Sequence, residues 1–146
     1  MKMEIQFRSI RPGYGVVKEA VSAGLPTLGH EPEAVKVGSL LWMSGQFAID
    51  NSGEILEKGA PSQLDHIFNE RISKICRAAG TTMDNLLRVR GYVPDVNDSY
   101  AVYDALRRAV PSDPPCVCIT GVPGPLQVEG ANVMLDAVAY VPGSDM

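Results

Sequence analysis

The side chains that could do chemistry in this chain of 146 residues are few and widely spaced. Cys116 and Cys118 are one residue apart, so in a strand both thiols point to the same face. A zinc site needs further ligands, and the chain has no second close cysteine pair and only two histidines. We therefore expect no metal and no cofactor. A reactive thiolate needs a nearby positive group, which the sequence does not identify, so we interpret these two cysteines as buried packing residues.

Other sequence signatures of catalysis are absent as well. The chain contains no nucleophile elbow, no phosphate-binding loop and no dinucleotide-binding fingerprint. Glu31 and Glu129 fall in predicted loops, where a carboxylate is ordinarily solvated, and His66 lies off the apolar face of a predicted helix. Spacing alone therefore predicts an α+β domain and assigns no mechanism to it.

Composition narrows the class of protein and its partners. With 45% hydrophobic and 21% charged residues, the chain is typical of one folded domain, and we expect no membrane partner. The first residues lack the basic and apolar character of a leader, and three cysteines are an odd number, so we expect a cytoplasmic protein with reduced thiols. A net charge of −4 gives no positive field for phosphate groups, so we expect no nucleic-acid partner.

The element that organises the predicted fold is an apolar run, Leu40–Met43, which ends at Ser44-Gly45-Gln46. We predict a buried central strand followed by a tight turn. The preceding residues 33–37 alternate between apolar and polar side chains, and Gly38-Ser39 fits a hairpin turn between the two strands.

Two helices are expected to cover this sheet. The first has apolar side chains at the helical period from Leu64 to Ala79, with Ser62 as its N-cap and Gly80 as its stop. The second follows Asn97-Asp98-Ser99 and turns Val102, Leu106 and Val110 inward.

Further strands are predicted on both sides of these helices. Residues 86–93 alternate, with Leu87, Val89, Gly91 and Val93 on one face, and Arg88, Arg90 and Tyr92 on the other. Residues 116–122 and 131–140 are two more strands. Residues 4–10 read as an edge strand, and residues 14–25 as either a short helix or an irregular arm. We divide the chain into an N-terminal arm or edge strand, 1–28, and a domain, 29–146.

The order and spacing of these elements resemble the RidA family, also called the YjgF family. The resemblance is carried by Ala34–Gly38 with Leu40–Gln46, by the helix that ends at Ala78-Ala79-Gly80, by Tyr92–Asp98 and by Asp136–Ala139. It implies a chorismate-mutase-like α+β fold, a mixed six-stranded sheet with two helices on one face. It also implies a homotrimer with small-molecule clefts between neighbouring subunits.

The same resemblance implies a reaction, but this chain has other residues at the positions that family enzymes use for it. Family enzymes hydrolyse imines and enamines such as 2-aminoacrylate, using an arginine that binds the substrate carboxylate and a glutamate that positions water. By resemblance, Val117 stands at the arginine position and Met134 at the glutamate position. Glu31 stands in place of a tyrosine, and Tyr103 in place of an asparagine. Each polar anchor of the family cleft is exchanged.

These exchanges leave two functions open. One is an enzyme acting on an imine, an enamine or a related metabolite, with Glu31 as general base and Cys118 or Tyr103 assisting. The other is a non-catalytic protein that binds a small molecule. In both cases we expect the ligand to contact Ser44, Gly45, Val117 and Met134. Loss of a desolvated arginine–carboxylate contact costs about 2–5 kcal/mol of binding, which favours a less charged, aromatic or larger ligand.

Overall fold

Six strands form one mixed sheet in a computed structural model of the chain, described here for residues 17–144. The strands lie side by side in the order β1-β2-β3-β6-β4-β5. β4 and β5 are parallel, and every other neighbouring pair is antiparallel. The predicted mixed six-stranded sheet is confirmed, whereas the strand predicted at residues 4–10 lies outside the described residues. The strands are β1 (Lys18–Val21), β2 (Ala34–Val37), β3 (Leu40–Met43), β4 (Leu86–Val93), β5 (Cys116–Gly121) and β6 (Met134–Tyr140).

The hairpin between β2 and β3 is the one predicted. Gly38 adopts φ 59°, a left-handed conformation that glycine tolerates, and Val37 pairs with Leu40 across the turn. The prediction that β3 is buried throughout is wrong. Leu41 is fully buried, but Trp42 is 46% exposed, because helices cover only one face of the sheet.

In the described part of residues 14–25, which begins at residue 17, the chain contains a strand, β1, where a short helix or an irregular arm was predicted. β1 pairs with β2 and forms one edge of the sheet. Buried Glu33 holds the following segment, because its carboxylate accepts hydrogen bonds from the backbone N–H groups of Ala23, at 3.1 Å, and Leu25, at 2.9 Å.

The helical layer has two helices on one face of the sheet, as predicted. α1 (Ala60–His66), a π-helical turn (Ile67–Ile72) and α2 (Ser73–Ala78) follow one another directly, and we call residues 60–78 the long helix. The second helix is α3 (Ser99–Ala109). Both bury their apolar side chains against the inner face of the sheet, in one core that includes Val102 and Leu106. No described helix combines the length and the apolar character that crossing a membrane requires.

The ends of the long helix agree only in part with the sequence prediction. Gly80, at φ 84°, ends it as expected. Ser62 is not its N-cap, because the helix begins earlier, with Gly59 at the cap position and no side-chain capping bond. Pro61 allows this early start, since proline lacks only an N–H that the first helical turn leaves unpaired.

β4 contains an irregularity that alternation did not predict. The register shifts between Leu86 and Arg88, and Leu87 is 45% exposed instead of facing the helices. Beyond this bulge the alternation holds, so Arg88, Arg90 and Tyr92 point away from the helical layer. We call this outer side of the sheet the open face.

Candidate functional site

A cleft of about 550 Å³ lies on the open face, where β4 and β6 meet the loop that follows β5. This volume is within the usual range for sites that bind small molecules. The wall exposes polar and apolar surface in about equal parts, and its two charged side chains belong to neighbouring strands. The lining residues are Arg90, Tyr92, Val122, Pro123, Pro125, Leu126, Gln127, Met134 and Asp136.

Strand register brings the polar residues of the cleft together. Arg90 of β4 lies opposite Asp136 of β6 on one side and Cys118 of β5 on the other. Two residues further along β4, Tyr92 lies opposite Met134 of β6. Because alternate residues of a strand share a face, all five side chains point to the open face.

The guanidinium of Arg90 is held in one place. Its Nε and Nη2 donate hydrogen bonds to Oδ2 of Asp136, at 3.1 and 2.8 Å. The Arg90 side chain remains 42% exposed, whereas that of Asp136 is 13% exposed. The hydrogen bond and charge of Asp136 raise the pKa of Arg90, so the guanidinium stays charged. Its Cζ also lies 5.7 Å from the centre of the Tyr92 ring, within the range of a cation–π contact.

The apolar side of the cleft rests on a small second core. Met134 and Leu126 pack against this cluster. Gly45 lies against the Met134 side chain, because a Cβ on Gly45 would stand 2.6 Å from Sδ of Met134. Glycine at this position therefore leaves the thioether room to occupy its place in the wall. The buried members of the second core are Phe47, Ile49, Val128 and Ala131.

A buried polar network fixes the segment from Ser44 to Gln46 beside Met134. Gln46 Nε2 donates to the carbonyl of Ser44 at 3.0 Å, and its backbone N–H donates to Leu135 at 2.6 Å. Arg71, in the π-helical turn, is only 2% exposed and donates from Nε to Gln46 Oε1 at 2.8 Å. Its Nη2 donates to the Pro26 carbonyl at 2.6 Å. Burial lowers the pKa of Arg71.

Several residues predicted for the site meet at or beside this cleft. Met134 lines it, Gly45 supports it, and Cys118 lies beside Arg90 on the open face. Ser44 borders the same segment and donates from Oγ to the Pro32 carbonyl at 2.8 Å. The prediction that both strand cysteines are buried is wrong, because Cys116 and Cys118 are exposed on an edge strand with no helix over them.

Three other predicted site residues lie away from the cleft of their own chain. Val117 packs against the main core on the helical side of β5. Tyr103 is 52% exposed on α3. Glu31 is exposed in the loop before β2, where its carboxylate accepts from the Gly29 N–H at 3.3 Å. The roles of these residues in ligand binding or catalysis stay predictions.

The sequence did not single out the Arg90–Asp136 pair as part of a site. Alternation placed both residues on outward positions, but their contact depends on β4 and β6 being neighbours in a definite register. The available signal was that Arg90 and Asp136 carry opposite charges on two predicted strands. This signal can be used only once the two strands are known to pair. Among residues 17–144, no group of three or more His, Cys, Asp or Glu residues is arranged to hold a metal ion.

Comparison with known sequences identifies a family model and several relatives that resemble this chain. The chain matches the model of the family described as Endoribonuclease L-PSP over residues 25–141. It is 26% identical over 120 residues to "Protein mmf2, mitochondrial" of Schizosaccharomyces pombe, an alignment covering 81% of this chain and 93% of that protein. It is 33% identical over 72 residues to a RutC family protein of Pyrococcus horikoshii, covering 49% of this chain and 56% of that protein.

Solved structures show the same fold. RidA from the Antarctic bacterium Psychrobacter superposes with a TM-score of 0.75 at 24% identity, covering 84% of this chain and 99% of that one. A protein of unknown function from Pseudomonas aeruginosa superposes with a TM-score of 0.74 at 25% identity, covering 89% and 96%. The fold predicted by resemblance is therefore confirmed.

Proposed function

The chain belongs to the endoribonuclease L-PSP family, which includes the RidA and YjgF proteins, and from this membership we propose that it acts on a small reactive metabolite in the cleft of its open face. The metabolite is an imine, an enamine or a related activated molecule. The substrate specificity of this protein differs from that of family enzymes that have the usual arginine. The observation that carries this proposal is the Arg90–Asp136 pair, a fixed pair of opposite charges beside an apolar wall and an exposed thiol.

Hydrolysis of an imine needs water at the carbon of the C=N bond, a base that takes a proton from that water, and an acid that protonates the nitrogen. Ammonia then leaves, and a carbonyl group remains. We assign Glu31 as the base and Cys118 or Tyr103 as the assisting group. Since Glu31 and Tyr103 lie away from the cleft of their own chain, this assignment requires neighbouring copies of a homotrimer to complete each cleft.

A second candidate is a non-catalytic protein that binds a small molecule in the same cleft. Met134 stands where family enzymes have the glutamate that positions water, and its thioether cannot act as a base. Asp136, the carboxylate among the described lining residues, is bonded to Arg90 through Oδ2. A cleft without a free carboxylate can hold a ligand without hydrolysing it.

Ammonia release from freshly generated 2-aminoacrylate and from a hydrophobic imino acid, measured beside a RidA enzyme, separates the two candidates. Turnover that Glu31→Gln abolishes while ligand binding is retained supports the enzyme and its base. Binding without turnover of either compound supports the non-catalytic protein. Turnover that survives Glu31→Gln unchanged contradicts the assignment of Glu31.

The remaining partners and the location are part of the same proposal. We propose a cytoplasmic protein, because an odd number of three cysteines suits reduced thiols, and one without a nucleic-acid partner, because its net charge is −4. Salt-sensitive RNA binding by protein free of nuclease would contradict the second statement.

A further inference from the structure

Arg90 offers the cleft a cation at a place where the sequence had suggested that none remained. It is the positively charged residue among the described residues that line the cleft. The family's arginine position was assigned to β5, whereas Arg90 lies on β4, next to Cys118 of β5. Val117, at that family position, lies on the helical side of β5, whereas Arg90 reaches the open face from the neighbouring strand.

The guanidinium of Arg90 has unused hydrogen-bonding capacity. Its two hydrogen bonds to Asp136 come from Nε and Nη2 and end on the same oxygen, Oδ2. Within residues 17–144, Nη1 has no hydrogen-bond acceptor, and 42% of the side chain is exposed. Nη1 and the second N–H of Nη2 form the other edge of the fork, which matches a carboxylate in two-point geometry.

The surroundings of Arg90 prepare this edge for a ligand. Asp136 and the Tyr92 ring fix the guanidinium plane, so little rotamer freedom is lost when an anion binds. Beyond the pair, the wall consists mainly of apolar side chains, Met134 and Leu126 among them. A volume of about 550 Å³ is larger than a carboxylate with a two-carbon body needs.

We propose that Arg90 is the specificity-determining residue of the cleft and that it binds ligands with one carboxylate and an aromatic or branched apolar body. The carboxylate meets the free edge of Arg90, and the body lies along Met134 and Leu126. This inference rests on the proposed use of the cleft for a small molecule, and it names the class of that molecule.

Matched probes test this inference by calorimetric titration. Hydrocinnamate carries a carboxylate on an aromatic body, hydrocinnamamide carries the same body without charge, and acetate carries the charge without the body. We expect the wild-type protein to bind hydrocinnamate about tenfold or more tightly than either of the others. Arg90→Gln should abolish the preference for acid over amide and leave the affinity for the amide within about twofold.

Two further variants serve as controls for this test. Arg107→Gln removes an arginine that also bonds a carboxylate, Asp104, but lies on α3, so it should retain the full preference. Arg90→Gln with Asp136→Asn removes both charges, leaves no unpaired carboxylate, and should abolish the preference as the single variant does. This second variant protects the test if Asp136 alone disturbs folding.

The outcomes separate this inference from the function on which it rests. Equal affinity for acid and amide, or a preference that survives Arg90→Gln, overturns the role of Arg90 and leaves a binding cleft. Failure of every probe to bind, together with turnover of an imine, overturns the ligand class and leaves the enzyme. Failure of every probe to bind with no turnover overturns both.

Discussion

A single methyl group added at Gly45 would alter the wall of the cleft. In Gly45→Ala the new Cβ would lie 2.6 Å from Sδ and 3.3 Å from Cε of Met134, too close for either contact to persist. A thioether side chain adapts easily, so we expect a loss of unfolding free energy below about 1 kcal/mol. The displaced Met134 should lower the affinity for hydrocinnamate, measured by titration, by about threefold or more.

The double variant Gly45→Ala with Met134→Ala is the control. Truncating Met134 removes the atoms that the new methyl group meets, so the effect of Gly45→Ala on affinity should nearly vanish in that background. Additive effects of the two substitutions would mean that Gly45 acts through something other than Met134.

Cys76 differs from the two strand cysteines in reactivity. It lies on the buried side of the long helix, and burial raises the pKa of its thiol to about 12. In a Cys116→Ser, Cys118→Ser variant we expect no reaction of native protein with a thiol reagent at about pH 8, where the thiolate is scarce. Denaturant should release one reactive thiol per chain. Rapid reaction before unfolding would contradict the buried position of Cys76.

His66 gives the fold a pH dependence of predictable sign. Burial lowers its pKa below the ordinary value of 6.5, and the charge of Arg71 adds to this shift. The native state therefore binds fewer protons at this residue than the unfolded state, so its contribution is fully present above pH 6.5 and declines as the pH falls below that value. We expect His66→Gln to flatten the loss of unfolding free energy between about pH 6.5 and 5.5, measured with urea. An unchanged pH profile would contradict this.

At the scale of elements, buried Arg71 ties the long helix to the segment beside Met134. Arg71→Met keeps the length of the side chain and removes its hydrogen bonds to Gln46 and Pro26. Because two acceptors lose a charged donor in a buried site, we expect a loss of about 2–4 kcal/mol of unfolding free energy. Arg77→Met, at an exposed site on the same helix, should cost less than about 0.5 kcal/mol. Equal losses in chemical denaturation would contradict a special role for Arg71.

Helices and strands could be predicted from the sequence where one local pattern of apolar residues dominates. The periodic apolar residues of the long helix and the alternation along β4 were enough to predict their positions. The N-cap at Ser62 was wrong because proline and glycine before it start the helix earlier, and Leu87 was misplaced by a bulge. Bulges and π-helical turns depend on how a segment packs against its neighbours, which a single segment does not encode.

The site was harder to predict than its scaffold. Met134, Gly45 and Cys118 were identified by resemblance and meet at or beside the cleft. Arg90 and Asp136 are 46 positions apart in the sequence, and only the pairing of β4 with β6 joins them. A contact of this kind follows from the topology of the sheet, so no local sequence motif could predict it.

At the scale of the whole molecule, the open face bears apolar surface that the predicted homotrimer would cover. Trp42 and Tyr140 are 46% and 42% exposed on neighbouring strands, and Val138 lies directly opposite Trp42. Nε of Arg88, on the same face, is buried and has no hydrogen-bond partner among residues 17–144. Contiguous apolar side chains on one sheet face are typical of an interface. The predicted homotrimer would cover them and join the clefts of neighbouring copies.

Trp42 tests this assembly directly, because it is the single tryptophan of the chain. If three copies pack through their open faces, sedimentation should give three times the chain mass of 15.7 kDa, and the fluorescence should be that of a buried indole. Trp42→Glu places a charge in the interface and should yield monomers that no longer turn over an imine, because Glu31 and Tyr103 of neighbouring copies no longer reach the cleft. Tyr100→Glu, at a site 81% exposed on the helical layer, should leave the trimer intact. A wild-type monomer that turns over an imine would mean that each cleft is complete within one chain, so that Glu31 and Tyr103, which lie away from it, take no part in catalysis.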